Sequence, residues 1–173
     1  MRTTVVSGLG FSVLLPVTTA LQIPASRRQE PASTFQLVAS GGAPHSVSQC
    51  LAAATNTDGA RVALVSCVEL ERTFPSGSFT WVVPPTGTTG QIKTFDGTKC
   101  LDVPKGDSSN GNTLQIWTCT EGNTNQLWSI EGPEDSGFRP ISWASHSKCI
   151  DVKDGKYSAG NDVCFSIGFS VDF

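Results

Sequence analysis

Three stretches of this chain restart on a cysteine about every fifty residues and then repeat the same punctuation. From Cys100 the sequence runs Leu101-Asp102-Val103, with Gly106, Gly111 and Leu114 at offsets 6, 11 and 14. From Cys149 it runs Ile150-Asp151-Val152, with Gly155, Gly160 and Val163 at the same offsets. Ile92 and Ile141 each stand eight residues before the cysteine, and Lys99 and Lys148 directly precede it. The earliest copy is worn: Cys50-Leu51 opens it, and Gly59, Val62 and Cys67 keep the mutual spacing of Gly111, Leu114 and Cys119. One such unit cannot bury its own apolar side, so three copies must share a core.

Each copy carries short strand signals. Residues 90–95 alternate polar and apolar residues before the Asp96-Gly97 turn signal. Cys100–Val103 reads as a second strand ended by Pro104, residues 113–117 as a third and residues 126–130 as a fourth. Strand side chains alternate, so Leu114 and Ile116 face inward while Gln115 and Trp117 share the other face. By the same rule, Asp102 projects away from the side that Leu101 and Val103 bury. Four short strands per unit, separated by Gly, Asn and Asp turns, give an all-β chain.

Composition agrees with that class and narrows the setting. Glycine (17) and proline (10) are plentiful while charged residues are only 16% of the chain, which suits turns better than long helices. The net charge of −3 and the lack of a basic stripe argue against a nucleic-acid partner. Residues 1–20 have the pattern of a secretory signal: Arg2, an apolar stretch from Val5 to Val17, then Thr18-Thr19-Ala20 at the expected cleavage point. That stretch is too short and broken to anchor in a bilayer, so no membrane insertion is expected. Residues 21–34 read as a flexible N-terminal segment and 35–173 as one domain, with units at about 35–89, 90–137 and 138–173. Arg27-Arg28 fits either a processing point or an ordinary loop.

Six cysteines, all beyond residue 49, fit secretion into an oxidising extracellular space. The repeat favours the pairs Cys50–Cys67 and Cys100–Cys119. Cys149 and Cys164 form a third candidate pair, but Cys164 stands where the middle unit has Gln115, so free thiols or an intermolecular link also fit. No CxxC pair exists and neither His45 nor His146 lies in a ligand-spaced cluster, so no metal and no cofactor are expected.

The informative surface belongs to the middle unit. Asp102, Gln115, Trp117, Asn125 and Gln126 combine an aromatic plate with a carboxylate and amides. A sugar ring presents apolar C–H faces and hydroxyl edges, which such a set complements. Spacing alone also allows Trp117 to be a core residue and Asp102 a turn stabiliser. Gln126 fits either a sugar contact or a group that orients Asp102.

These residues, with Cys100–Val103, the glycine-rich loop, residues 112–119 and residues 123–128, resemble a unit of the ricin B-type lectins. That family, also grouped as carbohydrate-binding module family 13, is named for Gln-x-Trp repeats and has the β-trefoil fold. The resemblance spans roughly residues 34–170. It implies a pseudo-threefold barrel with shallow sugar sites, often for galactose-type or xylan-type sugars, on the outside of each lobe. It makes Asp102 the hydroxyl-binding carboxylate, Trp117 the stacking platform, Gln115 a polar supporting residue, Asn125 a sugar hydrogen-bonding residue and Gln126 the partner that positions Asp102. Trp128 becomes the tryptophan that pins the lobe.

The outer units depart from this pattern. In the first, Ala52, Ala63 and Val65 replace the carboxylate, glutamine and aromatic. The third keeps Asp151 but has Cys164 and Ser166 at the next two positions, with Tyr157 as a substitute ring for a weak second site. No second Gln-x-Trp segment follows, so the third lobe is expected to be incomplete; a substitute strand in the alternating end and an altered chain end fit equally.

No nucleophile motif or demanded carboxylate pair is present, so no catalytic residue is assigned and the chain is not expected to be an enzyme. The expected partner is a neutral mono- or polysaccharide or a glycoconjugate. A protein-binding trefoil, such as a protease inhibitor, and a lectin that has lost its ligand are the alternatives. The sequence does not specify the oligomeric state.

Overall fold

The computed structural model describes residues 34–35, 38–39, 48–131, 140–144 and 146–166. The expected signal at 1–20, most of the 21–34 segment and the chain end at 167–173 lie outside the described residues. Two very short strands come first, β1 (Thr34–Phe35) and β2 (Val38–Ala39). A hairpin of β3 (Gln49–Ala53) and β4 (Ala60–Ser66) follows, then a single helical turn, α1 (Leu70–Thr73), and β5 (Trp81–Val82). The middle of the chain forms β6 (Thr89–Gly90), β7 (Lys93–Thr94), β8 (Lys99–Asp102), β9 (Gln115–Thr118) and β10 (Trp128–Ile130). Strands β11 (Ile141–Trp143), β12 (Cys149–Val152) and β13 (Val163–Ser166) complete it.

All pairings are antiparallel, in an eight-stranded sheet ordered β1-β5-β7-β8-β9-β4-β3-β2 and a five-stranded sheet ordered β13-β12-β11-β10-β6. The alternation seen in the sequence therefore decides what is buried. Leu51, Leu64, Leu101, Leu114, Ile116, Ile150 and Val163 all enter one core cluster with Trp81, Trp128 and Trp143. Two tryptophans are fixed by matching hydrogen bonds: the Trp81 Nε1–H donates to the Leu51 carbonyl at 3.0 Å, and the Trp128 Nε1–H to the Leu101 carbonyl at 2.9 Å. Each bond satisfies a buried donor that would otherwise oppose burial of the indole.

Two strand expectations change in detail. Residues 90–95 do not form one strand, because β6 pairs with β10 while β7 pairs with β5 and β8, and the chain changes sheet between them. The strand expected over 126–130 starts only at Trp128, since Thr124–Gln126 close a 3-10 turn.

Disulfides join Cys50 to Cys67 and Cys100 to Cys119, with Cα separations of 5.1 and 5.0 Å. The third candidate pair does not form: Cys149 and Cys164 are free. Register explains the difference. Cys100 faces Trp117 and bonds two residues beyond it, whereas Cys149 faces Ser166 and Cys164 lies two residues before it, on the opposite diagonal. Cys164 faces Asp151 instead, and burial pushes its thiol pKa up to about 11.

Candidate carbohydrate-binding site

The hairpin β8–β9 builds the centre of the site. Its register sets Asp102 opposite Gln115 and Cys100 opposite Trp117, so Asp102 and Trp117 occupy neighbouring positions on one face. Leu101 and Ile116 face each other on the buried side. Trp117 is 43% exposed, which excludes a core role for its indole. Asp102, on the same face, is only 4% exposed and so lies deeper than the ring.

The carboxylate is held from two sides. Gln115 Nε2 donates to Asp102 Oδ1 at 2.8 Å, and Gln126 Nε2 donates to Oδ2 at 3.2 Å. Gln126 is itself sealed from solvent and fully engaged: Nε2 also donates to the Thr118 carbonyl at 3.1 Å, while Oε1 accepts from Thr120 N at 3.0 Å and Gln91 Nε2 at 3.2 Å. Of the two roles open to Gln126, sugar contact or orientation of Asp102, its burial and its bond to Oδ2 fit the second, the one the resemblance implies. Burial raises the Asp102 pKa above its ordinary 3.8, partly opposed by the two amide hydrogen bonds, and the Asp58 charge adds a smaller upward push.

Asn125, in the turn before β10, is half-buried and comes close to the same strand end. Its carbonyl accepts from Val103 N at 3.0 Å, and its side-chain Oδ1 would lie 3.0 Å from any Cβ placed at Gly106. Gly106, at φ +64, is therefore needed both for its backbone conformation and to let the Asn125 amide approach.

Two contributors were not legible in the sequence. Gln91 supplies the second amide layer beneath the site, donating to Gln126 Oε1 and to the Thr120 carbonyl. The loop between β3 and β4 supplies a side wall: a Cβ at Gly59 would lie 3.7 Å from Trp117 Cζ3 and 4.0 Å from Gln115 Oε1. Both contacts cross from one repeat or strand pair to another, which residue spacing does not encode.

The other two hairpins repeat the register with different chemistry. Ala52 faces Ala63 and Cys50 faces Val65, and all four are buried. In the last hairpin Asp151 faces Cys164, and its Oδ1 accepts from Val152 N at 2.7 Å. Tyr157 packs half-buried against the main core rather than standing out as Trp117 does. Among the described residues, no group of three or more His, Cys, Asp or Glu side chains is placed to hold a metal ion, and no helix is long and apolar enough to cross a membrane.

Known structures share this architecture. A designed threefold-symmetric protein, ThreeFoil, aligns with a TM-score of 0.63 at 21% identity over 80% of this chain and 94% of its own. The Polyporus squamosus lectin, bound to a human-type influenza-binding epitope, aligns at 0.58 and 17% identity over 83% of this chain and 46% of its own. The C-half of an earthworm R-type lectin in complex with GalNAc gives 0.51 and 14% identity over 72% and 88%. At these identities the likeness establishes a β-trefoil-like all-β fold. The model of the ricin-type β-trefoil lectin domain-like family, a lectin family without catalytic machinery, matches residues 78–165, which include the whole β8–β9 hairpin and the turn carrying Asn125 and Gln126. That match covers just over half of the sequence, and the chain belongs to the ricin-type β-trefoil lectin domain-like family.

Proposed function

We propose that this protein is an exported carbohydrate-binding protein that recognises a neutral sugar through the middle lobe of a pseudo-threefold trefoil. The observation that carries this reading is the exposed Trp117 indole beside a carboxylate held in place by two amides. The ring covers the apolar face of a sugar, Asp102 accepts hydroxyl protons, and Asn125 adds an amide at the far side. A preset carboxylate has little side-chain freedom left to lose when a ligand arrives.

Lobe usage follows from the same positions. The first lobe offers only alanines, a valine and a disulfide sulfur, so it keeps a structural role. The third retains Asp151, but among the described residues Cys164 stands opposite it and Tyr157 packs half-buried against the core, which makes it a weak second site at most. Galactose-type sugars are favoured over xylan-type ones by the name of one similar structure, a lectin complexed with GalNAc; another holds Neu5Aca2-6Galb1-4GlcNAc, in which a sialic acid caps the galactose. The two disulfides support export, since such bonds persist in oxidising compartments.

A glycan array of the intact protein tests the reading: binding to galactose-terminated glycans is expected, and binding to none of the neutral glycans contradicts it. Asp102→Asn keeps the shape and an acceptor for one of its two amide neighbours, sets an NH2 group against the other, and removes the charge that receives hydroxyl protons. Its sugar affinity is expected to fall by roughly 1.5–3 kcal/mol.

The pH dependence has a definite sign. Sugar binding uses the ionised carboxylate, and the folded-state pKa of Asp102 is raised above 3.8. Affinity is therefore full at neutral pH and falls on acidification, beginning above the pH where an ordinary aspartate titrates. The groups against Asp102 are the neutral Gln115 and Gln126, with Asp58 as the charged neighbour. Titration of sugar binding between neutral pH and 3.8 checks this, and an affinity that stays flat over that range contradicts it.

A further inference from the structure

We propose that Asp58, from the first lobe, is a positioning residue for the middle-lobe sugar site, which makes that site a product of two lobes. The inference rests on the middle lobe being the sugar site. Lysines precede two of the three leading cysteines, Lys99 before Cys100 and Lys148 before Cys149.

Asp58 sits in the β3–β4 loop and clamps the end of β9. Its Oδ1 accepts from Lys99 Nζ at 2.6 Å, from Thr118 N at 2.7 Å and from Thr118 Oγ1 at 2.9 Å, and Thr118 Oγ1 also reaches Oδ2 at 3.0 Å. Thr118 directly follows the stacking tryptophan. The next loop residue, Gly59, donates its N–H to the Ile116 carbonyl at 2.9 Å, on the other side of Trp117. The loop thus grips the backbone immediately before and after the indole. A Cβ at Gly59 would meet the ring at an ordinary contact distance of 3.7 Å, so glycine is favoured there by its φ of +82 and not by crowding. Lys99, whose side chain is 14% exposed, neutralises Asp58 and pulls its carboxyl below the ordinary range.

The arrangement recurs, which separates it from a chance surface ion pair. In the next repeat, Lys148 Nζ donates to Asn110 Oδ1 at 2.5 Å, and Asn110 precedes Gly111 as Asp58 precedes Gly59. In the remaining repeat the loop still docks, with Gly160 N donating to the Leu64 carbonyl at 2.7 Å. There, however, Ala159 and Gln49 occupy the clamp positions, so a side-chain clamp between them is lost. It is lost at the hairpin whose ligand positions are Ala52, Ala63 and Val65. The ion-pair form, Lys99 with Asp58, stands at the hairpin that carries the Trp117 ring, while the hairpin with Cys164 and Ser166 has the neutral Asn110 as the lysine's partner.

Two readouts test the role in the full-length protein. Trp81, Trp128 and Trp143 are at most 2% exposed, so iodide quenching of tryptophan fluorescence reports on Trp117. Asp58→Ala is expected to change the quenching constant and to weaken binding of the sugar identified on the array by about tenfold. Asp58→Asn, which keeps a carbonyl oxygen for Thr118, is expected to recover most of both, and Lys99→Met to show a smaller loss in the same direction. These two variants carry the test if Asp58→Ala does not fold. A folded Asp58→Ala protein with wild-type quenching and wild-type affinity overturns the proposal. If the wild-type protein binds no sugar, the sugar reading itself is at fault, and quenching alone still decides whether Asp58 holds Trp117.

Discussion

Replacing Trp128 by alanine is expected to remove a large share of the protein's stability, about 3–5 kcal/mol. The side chain is fully buried in the main core cluster, so truncation leaves a large void that its rigid strand neighbours cannot fill. The Leu101 carbonyl loses the indole donor at the same time. Leu101 lies between Cys100 and Asp102, so the damage is transmitted directly to the strand that carries the carboxylate. For a domain whose total stability is of order 5–15 kcal/mol, such a loss brings the unfolding transition close to working temperature. Trp128→Phe keeps most of the apolar bulk and forfeits the hydrogen bond, so a smaller loss is expected. Urea unfolding of the two variants checks the order; a Trp128→Ala midpoint equal to wild type contradicts it.

Removing the Cys100–Cys119 disulfide, as a double alanine variant, is expected to lower stability by about 3 kcal/mol on the chain-entropy estimate for a loop of this length. The bond fastens the open end of the β8–β9 hairpin, next to the Cys100–Trp117 pair. The same change at Cys149 is expected to do much less, because that thiol is free and only half-buried. Denaturant midpoints for the two variants, measured without reductant, distinguish the cases. Equal midpoints contradict the assigned connectivity.

Much of this was legible in the sequence because the repeat carries register information. The offsets that align Cys100, Asp102, Gln115 and Trp117 with Cys50, Ala52, Ala63 and Val65 are the same offsets that the strand pairing realises. Alternation then separates Leu101 and Ile116 from Asp102 and Trp117 without reference to anything distant. The limits are equally physical. Gln126 was expected on a strand but closes a 3-10 turn, since three residues of local sequence do not distinguish a strand start from a tight turn before one. Gln91 and Asp58 act through contacts 35 and 60 residues away in sequence, to Gln126 and Thr118, and only the assembled trefoil brings them into place. Cys149 and Cys164 looked like a third pair by count, and the direction of the diagonal across two strands decides otherwise.

Sugar recognition by the middle lobe depends most on one exposed ring, Trp117. Calorimetric titration of the array-identified sugar into wild-type protein and into Trp117→Ala measures its contribution directly. The indole is 43% exposed, so the variant should melt at nearly the wild-type temperature while its affinity falls roughly 5- to 150-fold, the equivalent of about 1–3 kcal/mol. A Trp117→Ala protein that binds the sugar as tightly as wild type would show that recognition happens elsewhere on the trefoil.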